Sequence, residues 1–116
     1  MIESYLRALQ REISRGDSTE HTHRPALKTL LEASVAGLLA TNEPKSVERE
    51  NKPDYILRKG AVILGFVEAK DIGKDLKAAL KTPQLKRYLE ALPNLILTNY
   101  LDFIWFVAGE KRLDIS

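Results

Sequence analysis

The stretch Ala61–Ala69, AVILGFVEA, limits the possible folds more than any other part of the chain. Side chains alternate along a strand, so Val62, Leu64 and Phe66 fall on one face and Ile63 and Val67 on the other. A strand apolar on both faces belongs inside a sheet that is covered on both sides. The rest of the chain supplies the covering helices. Ile2, Leu6, Leu9 and Ile13 recur at helical spacing and predict an amphipathic helix over 2–14, closed by Gly16 and Asp17. Asp17 or Ser18 can cap a second helix, and Asp17 with Glu20 resembles a capping box. Pro25 fits its first turn, and Leu27, Leu30, Leu31, Val35 and Leu38 carry it to about Leu39. Residues 40–53 (ATNEPKSVERENKP) are polar, with two prolines, and read as a loop with a short edge strand. Tyr55–Arg58 is a predicted strand and Lys59–Gly60 a turn. Gly73–Lys81 has a helical pattern, Thr82 and Pro83 start a fresh helix over about 83–91, and Pro93 stops it. Strands follow at Asn94–Thr98, Asp102–Val107 and Leu113–Ile115. The order is close to ααβββαββ, which predicts an α/β fold: a short mixed β-sheet flanked by helices.

The 116 residues fit one domain, 1–116. The last predicted strand ends with the chain, which suggests a short or excised piece of something longer. With no cysteine there is no disulfide framework, thiolate metal site, iron–sulfur cluster or cysteine nucleophile. Two histidines, His21 and His23, are too few for a three-histidine zinc site. No apolar run approaches a membrane span, and the acidic start is not a secretory signal, so a cytosolic location is expected. The formal net charge is only +2, but Lys70–Arg87 holds six bases against two acids, a local +4. Clustered bases attract phosphates. A solvated helix face would carry the same residues, and charge alone favours that reading.

Asp54, Glu68 and Lys70 are harder to explain as ordinary surface. Asp54 opens a strand, while Glu68 and Lys70 share one face at the end of the central strand. Charges half buried in a covered sheet are costly unless paired or metal-bound. A symmetric hairpin centred on Lys59–Gly60 would set Asp54 opposite Gly65, leaving Glu68 about 10 Å away at roughly 3.3 Å per residue. An offset turn nearer Ala61, or a bulge at Gly65, would bring the two acids together. Together with a backbone carbonyl such as that of Ala69, they would form a hard oxygen site suited to Mg²⁺. Lys70 could orient a water or stabilise charge developing at phosphorus. From spacing alone, strand-end residues with no site chemistry are an equal alternative.

Pro53-Asp54 followed by Glu68-Ala69-Lys70 resembles the signature of the PD-(D/E)XK nuclease superfamily. Gln84 and Tyr88 resemble the Q-x-x-x-Y element of several of its branches. The strings EHTHRPALKTLLEA, ATNEP, FVEAKDIGKDL, QLKRY and NLILTNYLDFIWF resemble the N-terminal nuclease domain of restriction–modification polypeptides, in which an adenine-specific DNA methyltransferase follows. The likeness runs from about Thr19 to Glu110. It implies a restriction-endonuclease-like core and a Mg²⁺-dependent DNA endonuclease, with Mn²⁺ as a substitute ion. It assigns Asp54, Glu68 and the Ala69 carbonyl to the metal, with Glu20 as a further acid. Lys70 becomes the catalytic lysine and Gln84 an active-site organiser or phosphate contact. The implied partner is double-stranded DNA, cut to a 5′-phosphate and a 3′-hydroxyl, with association of two such domains on the DNA. Methyltransferase and specificity segments are not part of this chain. The alternatives are a non-catalytic DNA-binding or interaction module on the same fold, and a repair or recombination nuclease.

Other residues carry plainer explanations. Glu20 would also suit a helix N-terminus. His21 and His23 read as solvated first-turn residues, with a phosphate contact as the alternative. Tyr100, Phe103 and Trp105 read as strand packing before base stacking. Glu43, Glu48 and Glu50 read as solvating the loop, with an approach of one of them to the metal as the alternative. Lys74, Lys77, Lys81, Lys86 and Arg87 are the best phosphate-binding candidates.

Overall fold

In the computed structural model, which describes residues 2–14, 23–42 and 53–115, the apolar run does lie inside a sheet. The elements are α1 (Ile2–Ser14), α2 (Arg24–Ser34), β1 (Leu38–Asn42), β2 (Tyr55–Lys59), β3 (Val62–Ala69), α3 (Leu76–Leu80), α4 (Pro83–Ala91), β4 (Asn94–Thr98), β5 (Phe103–Val107) and β6 (Glu110–Ile115). The six strands stand side by side in chain order. All neighbours are antiparallel except β3 and β4, which are parallel. Parallel neighbours cannot be joined by a hairpin, and α3 with α4 forms the required crossover. The predicted mixed α/β architecture is therefore the observed one.

Each face of the sheet has its own core. On one side Tyr5 and Leu9 of α1 and Leu27 and Leu31 of α2 pack on Ala40, Tyr55, Leu57, Val67 and Ala69. On the other, Leu76, Ala79, Leu85 and Tyr88 of α3 and α4 pack on Leu95, Leu97, Ile104 and Phe106, with Phe66 at the margin. Among the described side chains of α1, Tyr5 and Leu9 are buried, while Leu6 and Ile13 of the apolar series stay exposed.

Three expectations need correction. The second helix stops at Ser34 rather than Leu39. Gly37, in the left-handed region at φ 80°, turns the chain so that Leu38 and Leu39 join β1. A leucine series fits either period here, and the glycine decides. The order is ααβββααβββ, so the string ααβββαββ undercounts one helix and one strand, although the separate helices capped by Asp75 and Thr82 and the final strand were each predicted. Finally, β3 is not covered throughout. Val62, Ile63 and Leu64 are exposed, and burial begins at Gly65. The starting half of the strand runs beyond both helical layers. The predicted cap at Asp17 or Ser18 lies outside the described residues.

No helix among the described residues is long and apolar enough to cross a membrane.

Candidate active site

The turn and register of the β2–β3 hairpin place the two acids. Lys59 pairs with Val62, so the turn is Gly60–Ala61, one residue later than the symmetric arrangement. Leu57 then pairs with Gly65 and Arg58 with Ile63, which leaves Leu64 as an extra residue in β3. Both irregularities considered from the sequence, an offset turn and a bulge beside Gly65, are thus present. From Tyr55↔Val67 the register continues outward to Asp54 beside Glu68. Gly65 is required at the bulge because β4 comes close: a Cβ there would lie 3.0 Å from Asn94 Cβ and 3.2 Å from the Asn94 carbonyl oxygen.

Asp54 and Glu68 are both buried, at 1 % and 0 % exposure. The Asp54 amide donates to Glu68 Oε1 at 3.2 Å, and the Ala69 amide donates to Asp54 Oδ2 at 2.9 Å. Each acid is thus held by backbone next to the other. Lys70 Nζ donates to Glu68 Oε2 at 3.3 Å and to Gln84 Oε1 at 3.1 Å, and Gln84 Nε2 donates to the Tyr88 hydroxyl at 3.3 Å. Gln84 and Tyr88, one turn apart on α4, face the site together as their spacing predicted. Burial, reinforced by the charges of Glu68 and Asp54, pushes the Tyr88 hydroxyl far up, so it stays a neutral phenol.

Arg24 carried no role in the sequence reading. Its Nη2 donates to Asp54 Oδ1 at 3.0 Å, and the pair is buried, with side-chain exposures of 6 % and 0 %. The next residue along β2 reinforces the link, since the Tyr55 hydroxyl donates to the Arg24 carbonyl at 3.1 Å. The signal that could have found Arg24 is electrostatic: two buried acids need two counter-charges, and Lys70 supplies one.

His23 corrects another expectation. It is not solvated but 1 % exposed, stacked edge-on against Tyr100, with no hydrogen-bond partner at either ring nitrogen. The N-terminus of α2 is pressed into the core, which turns the histidine inward. Tyr100 is fully buried as packing, whereas Trp105 is 41 % exposed. Glu20, His21, Glu43, Glu48 and Glu50 lie outside the described residues.

The donor set fits a hard divalent cation. Among the described residues no group of three or more acids or histidines gathers. Mg²⁺ sites commonly use one or two carboxylates and complete the shell with water and substrate oxygen. The adjacent pair Asp54 and Glu68 meets that requirement. Close by, Lys74, Lys77, Lys81, Lys86 and Arg87 are all exposed on and around α3 and α4. The groove of about 440 Å³ between α1 and α2, lined by Tyr5, Ala8 and Leu30, includes none of the site residues.

Neither a family model nor a curated protein matches the sequence. A solved structure does. A chain of the DrdV–DNA complex, determined by cryo-electron microscopy, superposes with a TM-score of 0.76 at 20 % identity over 98 % of this chain. The chain spans 12 % of that neighbour's length. The fold is therefore shared with part of a protein solved on DNA.

Proposed function

We propose that this chain is a Mg²⁺-dependent DNA endonuclease domain of the PD-(D/E)XK type. The observation that carries this reading is the bulged register that sets Asp54 against Glu68 with Lys70 and Gln84 alongside. Asp54, Glu68 and the Ala69 carbonyl would hold Mg²⁺ or Mn²⁺, and the family resemblance adds Glu20. The bound ion would polarise the phosphodiester and lower the pKa of a coordinated water.

The protein's own contribution is placement and charge. Backbone amides fix both carboxylates, so they need little reorganisation when substrate arrives. Lys70 is held between Glu68 and Gln84 with a third N–H left to donate, directed at the attacking water or a phosphoryl oxygen. Water oxygen attacks phosphorus, the P–O3′ bond breaks, and the 3′-oxygen leaves with a proton. The products are a 5′-phosphate and a 3′-hydroxyl. The exposed bases of α3 and α4 would carry the duplex backbone, as clustered cations do. Double-strand cleavage would need two such domains associated on DNA. The length of the structural neighbour supports a single domain within a longer restriction–modification polypeptide, its methyltransferase and specificity segments lying elsewhere.

Supercoiled plasmid tests the reading. With Mg²⁺ or Mn²⁺ the chain should nick it, and Lys70→Met and Asp54→Asn should each lower the rate by at least about 100-fold while duplex binding persists. A purified, folded chain that nicks under neither ion would refute it, and duplex binding retained without nicking would favour the non-catalytic module.

A further inference from the structure

We propose that Arg24 is a resident cation of the site, a positioning residue that neutralises Asp54 before a divalent ion arrives and thereby weakens the binding of that ion. The proposal rests on the metal-site reading given above and extends it to a residue that neither the sequence motif nor the structural neighbour assigns. Three observations support it. The guanidinium is buried and contacts one carboxylate oxygen of Asp54 directly. The other oxygen is already fixed by the Ala69 amide, so Asp54 keeps an anchor without Arg24. Lys70 stands on Glu68 in the same way, so each acid of the pair already faces a cation.

These observations decide between two opposite effects of removing Arg24. If the guanidinium served mainly to aim Asp54, its loss would weaken metal binding. The Ala69 amide and the backbone attachment of Asp54 to β2 retain that aim. If it serves mainly as charge, its loss makes the site more negative by one unit. A divalent ion then meets a site more negative by one charge, and in a water-poor setting that difference is large. Charge therefore wins. A guanidinium suits the role because it is always ionised and tolerates burial better than an ammonium. The same reasoning explains the double tie between these chain segments, Arg24 side chain to Asp54 and Arg24 carbonyl to the Tyr55 hydroxyl, which holds the charge in place.

The test is Mn²⁺ titration by calorimetry, with thermal melting with and without Mn²⁺, on the unsubstituted chain, Arg24→Gln and Arg24→Lys. Arg24→Gln should melt lower without metal, bind Mn²⁺ about tenfold more tightly or better, and gain more from saturating Mn²⁺ than the unsubstituted chain. Arg24→Lys keeps the charge and should stay within about threefold of the unsubstituted affinity. A merely structural arginine would lower stability without tightening Mn²⁺ binding. Equal or weaker binding by folded Arg24→Gln overturns the proposal and leaves the nuclease reading intact. No Mn²⁺ binding by the unsubstituted chain overturns both. If Arg24→Gln does not fold even with Mn²⁺, Arg24→Met takes its place: binding about tenfold tighter upholds the proposal, and equal or weaker binding overturns it.

Discussion

Replacing Gly65 with alanine tests the link between backbone packing and the site. The added methyl would sit 3.0 Å from Asn94 Cβ and 3.2 Å from the Asn94 carbonyl oxygen, both inside ordinary contact distance. The neighbouring oxygen is backbone at the start of β4, where Asn94 pairs with Val107 of β5, so it cannot swing away as the end of a side chain could. Overpacking of this kind costs about 1–3 kcal/mol. With an unfolding entropy of about 2.1 cal/mol/K per residue, 1 kcal/mol corresponds to about 4 °C for a chain of this size, so Gly65→Ala should lower Tm by about 4–12 °C. Gly60→Asn serves as the control. Gly60 also has a special backbone, with φ 61°, but a Cβ there meets nothing within 4 Å. Asparagine tolerates that region, so its loss should stay below about 1 kcal/mol. Thermal melts followed by circular dichroism read both variants. If Gly65→Ala melts within about 2 °C of the unsubstituted chain, close approach of β4 does not hold the glycine at the bulge, and the reasoning is wrong.

Thr82→Ala should cost about 1 kcal/mol, or about 4 °C in Tm, because the Thr82 hydroxyl oxygen accepts from the Leu85 amide at 3.3 Å and caps α4. Thr82→Ser should recover most of it. Alkaline pH should destabilise the fold. Burial raises the hydroxyls of Tyr5, Tyr55 and Tyr88 well above their ordinary value of about 10, so above that pH the unfolded chain loses these protons first. Stability is then full below about pH 10 and falls as pH rises, by up to about 1.4 kcal/mol per pH unit for each tyrosine. Urea midpoints across pH 9–12 check the slope, and Tyr55→Phe should reduce it. An unchanged slope in Tyr55→Phe would show that Tyr55 does not contribute.

Much of the layout could be read from local pattern. Thr82-Pro83 marked the start of α4, and the apolar run at Ala61–Ala69 demanded a sheet with helices on both sides. Local pattern failed where a tertiary neighbour decides. Leu38 satisfies a helical series and a strand equally, and only the turn at Gly37 separates them. The exposure of Val62, Ile63 and Leu64 depends on how far the helical layers extend. At the site, the chemistry showed that Asp54 and Glu68 would need an irregular register to meet. The sequence could not show that the turn would shift the partner by two residues and the bulge by one, the three that separate Gly65 from Glu68. Arg24 and His23 were out of reach for a similar reason. Each is an ordinary polar residue at the start of a helix until the helix end is known to press into the core.

The position of these charges follows from topology. β3 runs antiparallel to β2 and parallel to β4. The residue before β2 and the last residues of β3 therefore come to the same end of the sheet, which is also where β4 ends. There Lys70 still donates its amide to the Thr98 carbonyl at 2.8 Å, after which the chain leaves the end of β3 for the α3–α4 crossover. A sheet that passes from antiparallel to parallel pairing at such a point exposes the carboxyl ends of two neighbouring strands while a third strand begins beside them, and crevices at strand ends of this kind are where open α/β sheets place ligands. The acids of β2 and β3 and the base just beyond β3 can converge only at this end. At the opposite end of β3 are the Gly60–Ala61 turn and the uncovered Val62–Leu64 segment, which offer no burial. The helical layers complete the arrangement, with α2 bringing Arg24 from one face of the sheet and α4 bringing Gln84 and Tyr88 from the other.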